Sequence, residues 1–340
     1  RFNNDPRRLY EASGCAGKLA VFAVRIDTFP IPEKYQVFYI GTNDPAVMEQ
    51  MRRDMLSTFK NLPVSGEYMH SSSYDISKKY GKDSYLVIDK LGTKYIPKMF
   101  ALKRTVDRWA GKLKFMPSKF SDIMMQYASQ LFPNHLPKRM EDFREKYEHH
   151  WIVETSNDGV AEAQAYLENF FKNNEGDFFA CTKREADQAI LHRFVTGGAL
   201  TRYHIMNKKD LGSIMTIDVA FPRNERDWFE ELPQDIEEKV AVKMYYGHFF
   251  CHVMHQNYIM KKGVDAKAVK KQILSSYDAR GAEYPAEHNV GHEYLAKPAL
   301  REFYLKTDPT NSFNSGIGGT SKLKNWQELS DEHTGCGCHK

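Results

Sequence analysis

The chain has 340 residues, 41% hydrophobic and 27% charged, with a formal net charge of +4. That composition belongs to folded globular proteins and excludes a disordered chain, while so small a charge excludes a general polyanion binder unless the bases are gathered in one place. The length favours two structural units or one domain with a large insertion, and no apolar run reaches the roughly 18 residues that a membrane-spanning helix needs.

The chain begins RFNNDPRRLYEASGC, with no initiator Met and no basic-then-apolar signal segment, and reads as the later part of a longer polypeptide. Residues 18–29 (KLAVFAVRIDTF) and 35–42 (YQVFYIGT) are rich in β-branched and aromatic residues and are bounded by Pro and Gly, so both are predicted strands. After Asn43, Asp44 and Pro45, the apolar positions Val47, Met48, Met51, Met55 and Phe59 fall at helical spacing, with Asp44 as cap and Pro in the first turn.

From Lys90 to Phe120 the composition changes. The bases are Lys90, Lys94, Lys98, Lys103, Arg104, Arg108, Lys112, Lys114 and Lys119, and the only acid is Asp107. Tyr95, Met99, Phe100, Leu102, Trp109, Leu113, Phe115, Met116 and Phe120 lie between them. Cations with interleaved aromatic residues suit a membrane interface, where ammonium groups meet anionic phospholipid and rings enter the acyl boundary. The same pattern also reads as a solvated helical face over a core; single-stranded nucleic acid is the weakest reading, and no nucleic-acid partner is expected.

A second strand–helix–strand unit follows: HHWIVETS, then a helix GVAEAQAYLENFF capped by Asn157 or Asp158, then GDFFACT. Further strands are predicted at IMTIDVAFP and KMYYGHFF. The fold class is therefore α+β, an antiparallel or mixed sheet with helices on one face.

Within YGHFFCHVMHQNY stand His248, His252 and His255. On a helix all three share a face; on a strand His248 and His252 share one, and His255 points away unless a bend intervenes. Metal binding, substrate contact and a hydrogen-bonded core cluster are all open for such a set. Downstream, YPAEHNVGHEY places Glu287 beside His288 in a Gly- and Pro-punctuated loop, with His292 following. A carboxylate beside an imidazole can supply a metal ligand and a general base together. The cysteines Cys15, Cys181, Cys251, Cys336 and Cys338 are scattered and form no disulfide framework. In the tail HTGCGCHK, Cys336, Cys338 and His339 read as a metal-scavenging group or a solvated extension.

Four stretches together resemble motifs of the FAD-linked oxidase family with the vanillyl-alcohol oxidase fold. SGCAGKLAV resembles the Gly-Ser-Glu-Gly-Thr-Leu-Gly-Ile stretch that closes its FAD domain. GHFFCHVMH stands where many members carry Gly-His-x-Gly-Asp-Gly-Asn-Leu-His, with His248 and His255 matching the two histidines. EHNVG stands for Glu-His-Gly-x-Gly, and DPTNSFNSGIG for the terminal Asp-Pro followed by Asn-Pro-Gly. Up to about Glu328 the chain resembles the branch of that family that oxidises D-lactate at bacterial respiratory membranes.

The resemblance implies a peripheral flavoprotein on the cytoplasmic face of the inner membrane. It would oxidise D-lactate to pyruvate with FAD and pass the electrons to quinone. It implies seven segments: 1–27 ending the FAD domain, cap pieces at 28–69, 147–184 and 209–278, membrane-binding pieces at 70–146 and 185–208, and 279–340 returning to the FAD domain. By matched position His288 is the base, with His248 and His255 beside it. Val21, Gly14, Gly17 and Asn314 are flavin contacts, and His248, His255 and Glu287 are ligands of a divalent metal. A guanidinium suits the substrate carboxylate, and Arg193 and Arg202 are the candidates, although both fall in the expected membrane-binding piece.

Departures from the family pattern are local. Phe249, Phe250, Cys251 and His252 replace a Gly-Asp-Gly bend, which leaves His252 as an alternative working histidine; Ser315 replaces a proline, and Gly319 a basic residue. The alternative function is a catalytically inactive fragment that binds the membrane surface. A zinc hydrolase built on the histidines is a third.

Overall fold

The structure is a computed structural model that describes residues 15–26, 28, 30–113, 115–117, 119–286 and 291–327. The chain divides into two compact units: Arg1–Pro30 with Pro285–Lys340, and Ile31–Tyr284.

The larger unit contains, in chain order, β1 (Tyr35–Thr42), α1 (Pro45–Thr58), β2 (Ser65–His70), α2 (Ser71–Tyr80), α3 (Lys82–Leu91), α4 (Ile96–Ala110), α5 (Phe120–Gln130) and α6 (Lys138–Lys146). It continues with β3 (His149–Ser156), α7 (Gly159–Phe170), β4 (Asp177–Ala180), α8 (Lys183–Phe194), α9 (Thr196–Met206), β5 (Leu211–Ala220), α10 (Gln234–Glu237), β6 (Val240–His248), β7 (Val253–Lys261) and α11 (Ala266–Ala279). The class is α+β. Its seven strands form one sheet in the order β4-β1-β3-β2-β6-β7-β5, with every pairing antiparallel.

The expectation of helices on one face is corrected. Phe38, Ile40, Tyr68, Trp151 and Val153 point to the face covered by α1, α7 and α11, and their neighbours Val37, Tyr39, Met69 and Ile152 point to the face covered by α2, α6 and α8. Strands buried on both sides need cover on both sides.

The first helix follows its sequence signals. The Asp44 carboxylate accepts from the Ala46 N–H at 2.8 Å, Pro45 opens α1, and Met48, Met51 and Met55 are fully buried. The expected cap of α7 is corrected: Asp158 occupies the cap position without a side-chain bond, and the Asn157 side-chain oxygen accepts from the Glu33 and Lys34 N–H groups instead.

The basic stretch forms the end of α3, the whole of α4 and the link to α5. Only Ala110 of α4 is buried, while Leu102, Trp109 and Phe115 are 64%, 68% and 80% exposed. Lys94 and Lys98 lie over the Tyr95 ring, and Lys112 over Trp109. Lys103 is bound to Asp122, and Lys90 to Asp89; Lys114 lies outside the described residues. Arg202 of α9 ties this layer together, with Nη2 donating to Asp83 of α3 and Nε to Asp122 of α5. No helix among the described residues is long and apolar enough to cross a membrane.

In the smaller unit, α12 (Pro298–Thr307) leads into a loop that clamps the turn at 15–18. The buried Lys18 ammonium donates to Asn311 at 2.5 Å and lies over the Trp326 ring. The strand expected at 18–29 is corrected: residues 19–26 lie in no strand, and Phe22, Val24 and Ile26 are exposed. β-Propensity makes a strand only where a partner strand completes its hydrogen bonds, and no strand among the described residues pairs with this segment.

Candidate active site

The histidine stretch is a hairpin. His248 ends β6, residues Phe249–Cys251 make one 3₁₀ turn, and His252 closes it at φ 55°. Gly247 is required where the strands close up, because a β-carbon there would collide with the Val253 carbonyl.

The turn is anchored from α1. Arg52 donates from Nε to the Phe249 carbonyl at 3.0 Å and from Nη2 to the Phe250 carbonyl at 3.0 Å, and His252 donates from Nε2 to Glu49 at 2.9 Å. These bonds take the place of the Gly-Asp-Gly bend. They also correct the reading of His252 as a working histidine, because its ring is fully buried against α1, away from the other two.

Pairing then sets His248 opposite Glu67 of β2, and His255 opposite both Tyr246 of β6 and Asp218 of β5. Side chains in register on neighbouring strands share a face, so Glu67, His248, His255 and Asp218 form one row across four strands. The His248 and His255 rings stand edge to face, with centroids 5.4 Å apart.

Each ring is held by a carboxylate. His248 Nδ1 lies 2.8 Å from Glu67 Oε1, and His255 Nδ1 lies 2.7 Å from Asp218 Oδ1. A carboxylate only accepts, so each Nδ1 carries the proton. Such an arrangement fixes ring orientation.

Arg193 joins the row from the last turn of α8, a helix started by the Thr182–Glu185 capping box. Its Nη2 is 3.1 Å from Glu67 Oε2, and its guanidinium lies 4.4 Å over the Tyr246 ring. Burial raises the Glu67 carboxyl, but the His248 hydrogen bond and the Arg193 charge outweigh it and hold the group below the ordinary carboxylate range. The Tyr246 phenol accepts from Asn257 Nδ2 at 3.0 Å, and burial holds it above its ordinary range.

Of the expected site residues, the sheet therefore gathers His248, His255 and Arg193. Arg202 lies elsewhere, in the ion-pair network of α3, α5 and α9. Glu287, His288 and Gly14 lie outside the described residues, as do Cys336, Cys338 and His339. Sequence reasoning missed Glu67, Asp218 and Tyr246. The available signal was Asp218 itself, a carboxylate inside the β-branched run IMTIDVAF, where aspartate is disfavoured.

For a divalent metal, the described residues contain no group of three or more His, Cys, Asp or Glu side chains able to hold one. Two imidazoles do not by themselves complete such a site, and Glu287, the third expected ligand, lies outside the described residues. For a flavin, Gly17 and Asn314 meet each other: Asn314 Nδ2 donates to the Ala16 carbonyl and sits 3.1 Å from where a Gly17 β-carbon would be, so this glycine is filled by the chain itself. Val21, Phe22, Val24 and Ile26 are 48% to 98% exposed.

A family model described as "D-lactate dehydrogenase, membrane binding" matches residues 37–326. The chain belongs to this family. Among D-lactate dehydrogenase relatives, it is 54% identical over 329 residues to a quinone-dependent D-lactate dehydrogenase of Escherichia coli (strain K12), covering 97% of this chain and 58% of the relative. It is 42% identical to a protein of the same name from Corynebacterium glutamicum, covering 96% and 57%. The chain thus spans less than two thirds of the length of the curated relatives it matches. Among solved structures, a 4-ethylphenol oxidase from Gulosibacter chungangensis is similar with a TM-score of 0.47 and 10% identity, over 86% of this chain and 55% of that one.

Proposed function

We propose that this chain is the substrate-cap and membrane-binding part of an FAD-dependent enzyme that oxidises D-lactate to pyruvate and passes the electrons to quinone. The observation that carries the reading is the pair of carboxylate-held imidazoles on the sheet of a chain from this family. A 2-hydroxy acid has a hydroxyl proton to lose and a carboxylate to be held. His248 and His255 are the imidazoles offered to the hydroxyl, and Arg193, planar and fixed by Glu67 and Tyr246, suits the carboxylate. His288, assigned by motif, takes the hydroxyl proton. FAD, when bound, accepts the hydride, and the Val21 run is the part of this chain that would touch it.

The exposed cations and rings of α4 support a peripheral attachment to anionic phospholipid, on the cytoplasmic side of the inner membrane, where reduced quinone is formed.

The test is the flavin absorbance of the parent enzyme and of this chain, before and after D-lactate. Bleaching of the parent by D-lactate, reversed by added quinone, is expected. A flavin-loaded parent that no 2-hydroxy acid bleaches would overturn the reading. If this chain alone is colourless yet sediments with anionic vesicles at low salt, it acts by itself as the membrane-binding part.

A further inference from the structure

Two features adjoin at α3 and α5. One is a basic cup of about 410 Å³ lined by Asp75, Lys78, Lys79, Lys82 and Gln130. The other is a groove of about 400 Å³ whose walls include Leu86, Val87 and Leu91 of α3 and, from α5 and just beyond, Met125, Ala128 and Phe132. They meet where Lys82 precedes Asp83 and Gln130 follows Ser129, both pairs divided between cup and groove, and Lys82 Nζ donates to the Phe132 carbonyl.

The carboxylates nearby are already answered. Asp75 is held by Arg144 through bonds of 3.0 and 2.6 Å, Glu141 by Lys78 and Asn134, and Asp83 in the groove by Arg202 at 2.8 Å. Lys79 lies over the Tyr80 ring, and Lys82 is bonded to a neutral carbonyl, so the cup keeps a positive charge. Burial first, and then the neighbouring Lys78 ammonium, hold the Lys82 amine below the ordinary lysine range. The groove is equally one-sided: Leu91 and Phe132 are 54% and 56% exposed on an apolar wall with no chain segment over them among the described residues.

We propose that α2, α3 and α5 bind one anionic phospholipid, with its phosphate in the cup beside Lys79 and Lys82 and an acyl chain in the groove from Leu86 to Phe132. Lysine ammonium groups bind phosphate as point charges, and each methylene that enters the groove adds to affinity. The proposal rests on the membrane reading above but is separable from it. The stretch from Lys90 to Lys119 attracts any anionic surface, whereas this site selects a single molecule.

The experiment is calorimetric titration of the intact protein with dioctanoyl phosphatidylglycerol below its micellar concentration, beside dioctanoyl phosphatidylcholine and inorganic phosphate. Sedimentation with phosphatidylglycerol vesicles is measured in parallel. Saturation at one phosphatidylglycerol per chain is expected, with both controls at least roughly tenfold weaker. The double variant Lys79→Gln/Lys82→Gln is expected to weaken binding roughly tenfold or more. Ala128→Trp, on the exposed side of α5, fills the groove and should abolish the advantage of lipid over phosphate. Both variants should still sediment with vesicles through Lys90–Lys119. Absence of saturable binding, equal binding of phosphatidylcholine, equal binding of phosphate, or indifference to both variants overturns the lipid site. Failure of the unaltered protein to sediment with vesicles instead overturns the membrane reading beneath it.

Discussion

Glu67 accepts on one oxygen from His248 and pairs through the other with Arg193, so a single carboxylate orients both an imidazole and a guanidinium. Glu67→Gln keeps the shape and removes the charge. Turnover of D-lactate by the holoenzyme is expected to fall roughly ten- to a hundredfold, as when an orienting partner of a working imidazole is lost. Steady-state kinetics check this, and an unchanged kcat would remove Glu67 from the site. The two hairpin histidines separate cleanly at this scale. His255→Gln should depress kcat with little change in melting temperature. His252→Gln breaks a buried pair with Glu49 and should lower the melting temperature while the folded fraction keeps its kcat. Spacing alone could not distinguish them, because the difference is which side of a hairpin each ring faces.

At the scale of elements, Arg202 joins α9 to α3 and α5, its side chain 5% exposed between Asp83 and Asp122. Arg202→Met leaves buried Asp83 without its cation and Asp122 with Lys103 alone, and breaking a buried pair typically costs about 3–5 kcal/mol. The expected result is a lower melting temperature and faster proteolytic nicking between α4 and α5. Protease resistance equal to that of the unaltered protein would show that other contacts hold the layer. The cap and period of α1 and the strand before it were legible in the sequence, since Asp44, Pro45 and the Met48–Met51–Met55 stripe act locally, whereas β2 after it was not. The segment 18–29 was misread for a physical reason: its residues favour a strand, but a strand also needs a neighbour. Glu67 and Asp218 were missed because they matter only through partners 181 and 37 residues away in sequence.

Across the larger unit, four imidazoles are buried and a fifth, His70, is half-buried, and all five are neutral. Burial lowers His70 and His192 to about 3 and His135 and His149 to about 4, and it holds His150 well below its ordinary value. In the unfolded chain each titrates near 6.5. Below that pH the unfolded state binds protons that the folded state refuses, so stability falls as pH falls, by about 1.4 kcal/mol per unit for each such group. The stabilising effect is complete above about pH 6.5 and is lost progressively toward the folded values near 4 and 3. The depressed carboxyls of Asp89 and Glu185, at about 2, lose their stabilising effect only below the ordinary carboxylate range of roughly 4. A steep drop in melting temperature between pH 7 and pH 5 is therefore expected. A flat profile over that interval, read by circular dichroism, would mean that these histidines reach solvent.

By itself the sequence determined the α+β class, the helix that Asp44 and Pro45 begin, the cationic aromatic stretch and the motifs that place the chain in its family. These are carried by local spacing and composition, which act within a few residues. The tertiary structure alone decided that the sheet is covered on both faces, that His248 and His255 meet while His252 turns inward, and that Glu67, Asp218 and Arg193 complete the row. It also decided that the cup and groove lie together where α2, α3 and α5 meet. Each of these depends on strand register or helix packing between residues far apart in the chain, and register is set by how a whole sheet buries its two faces.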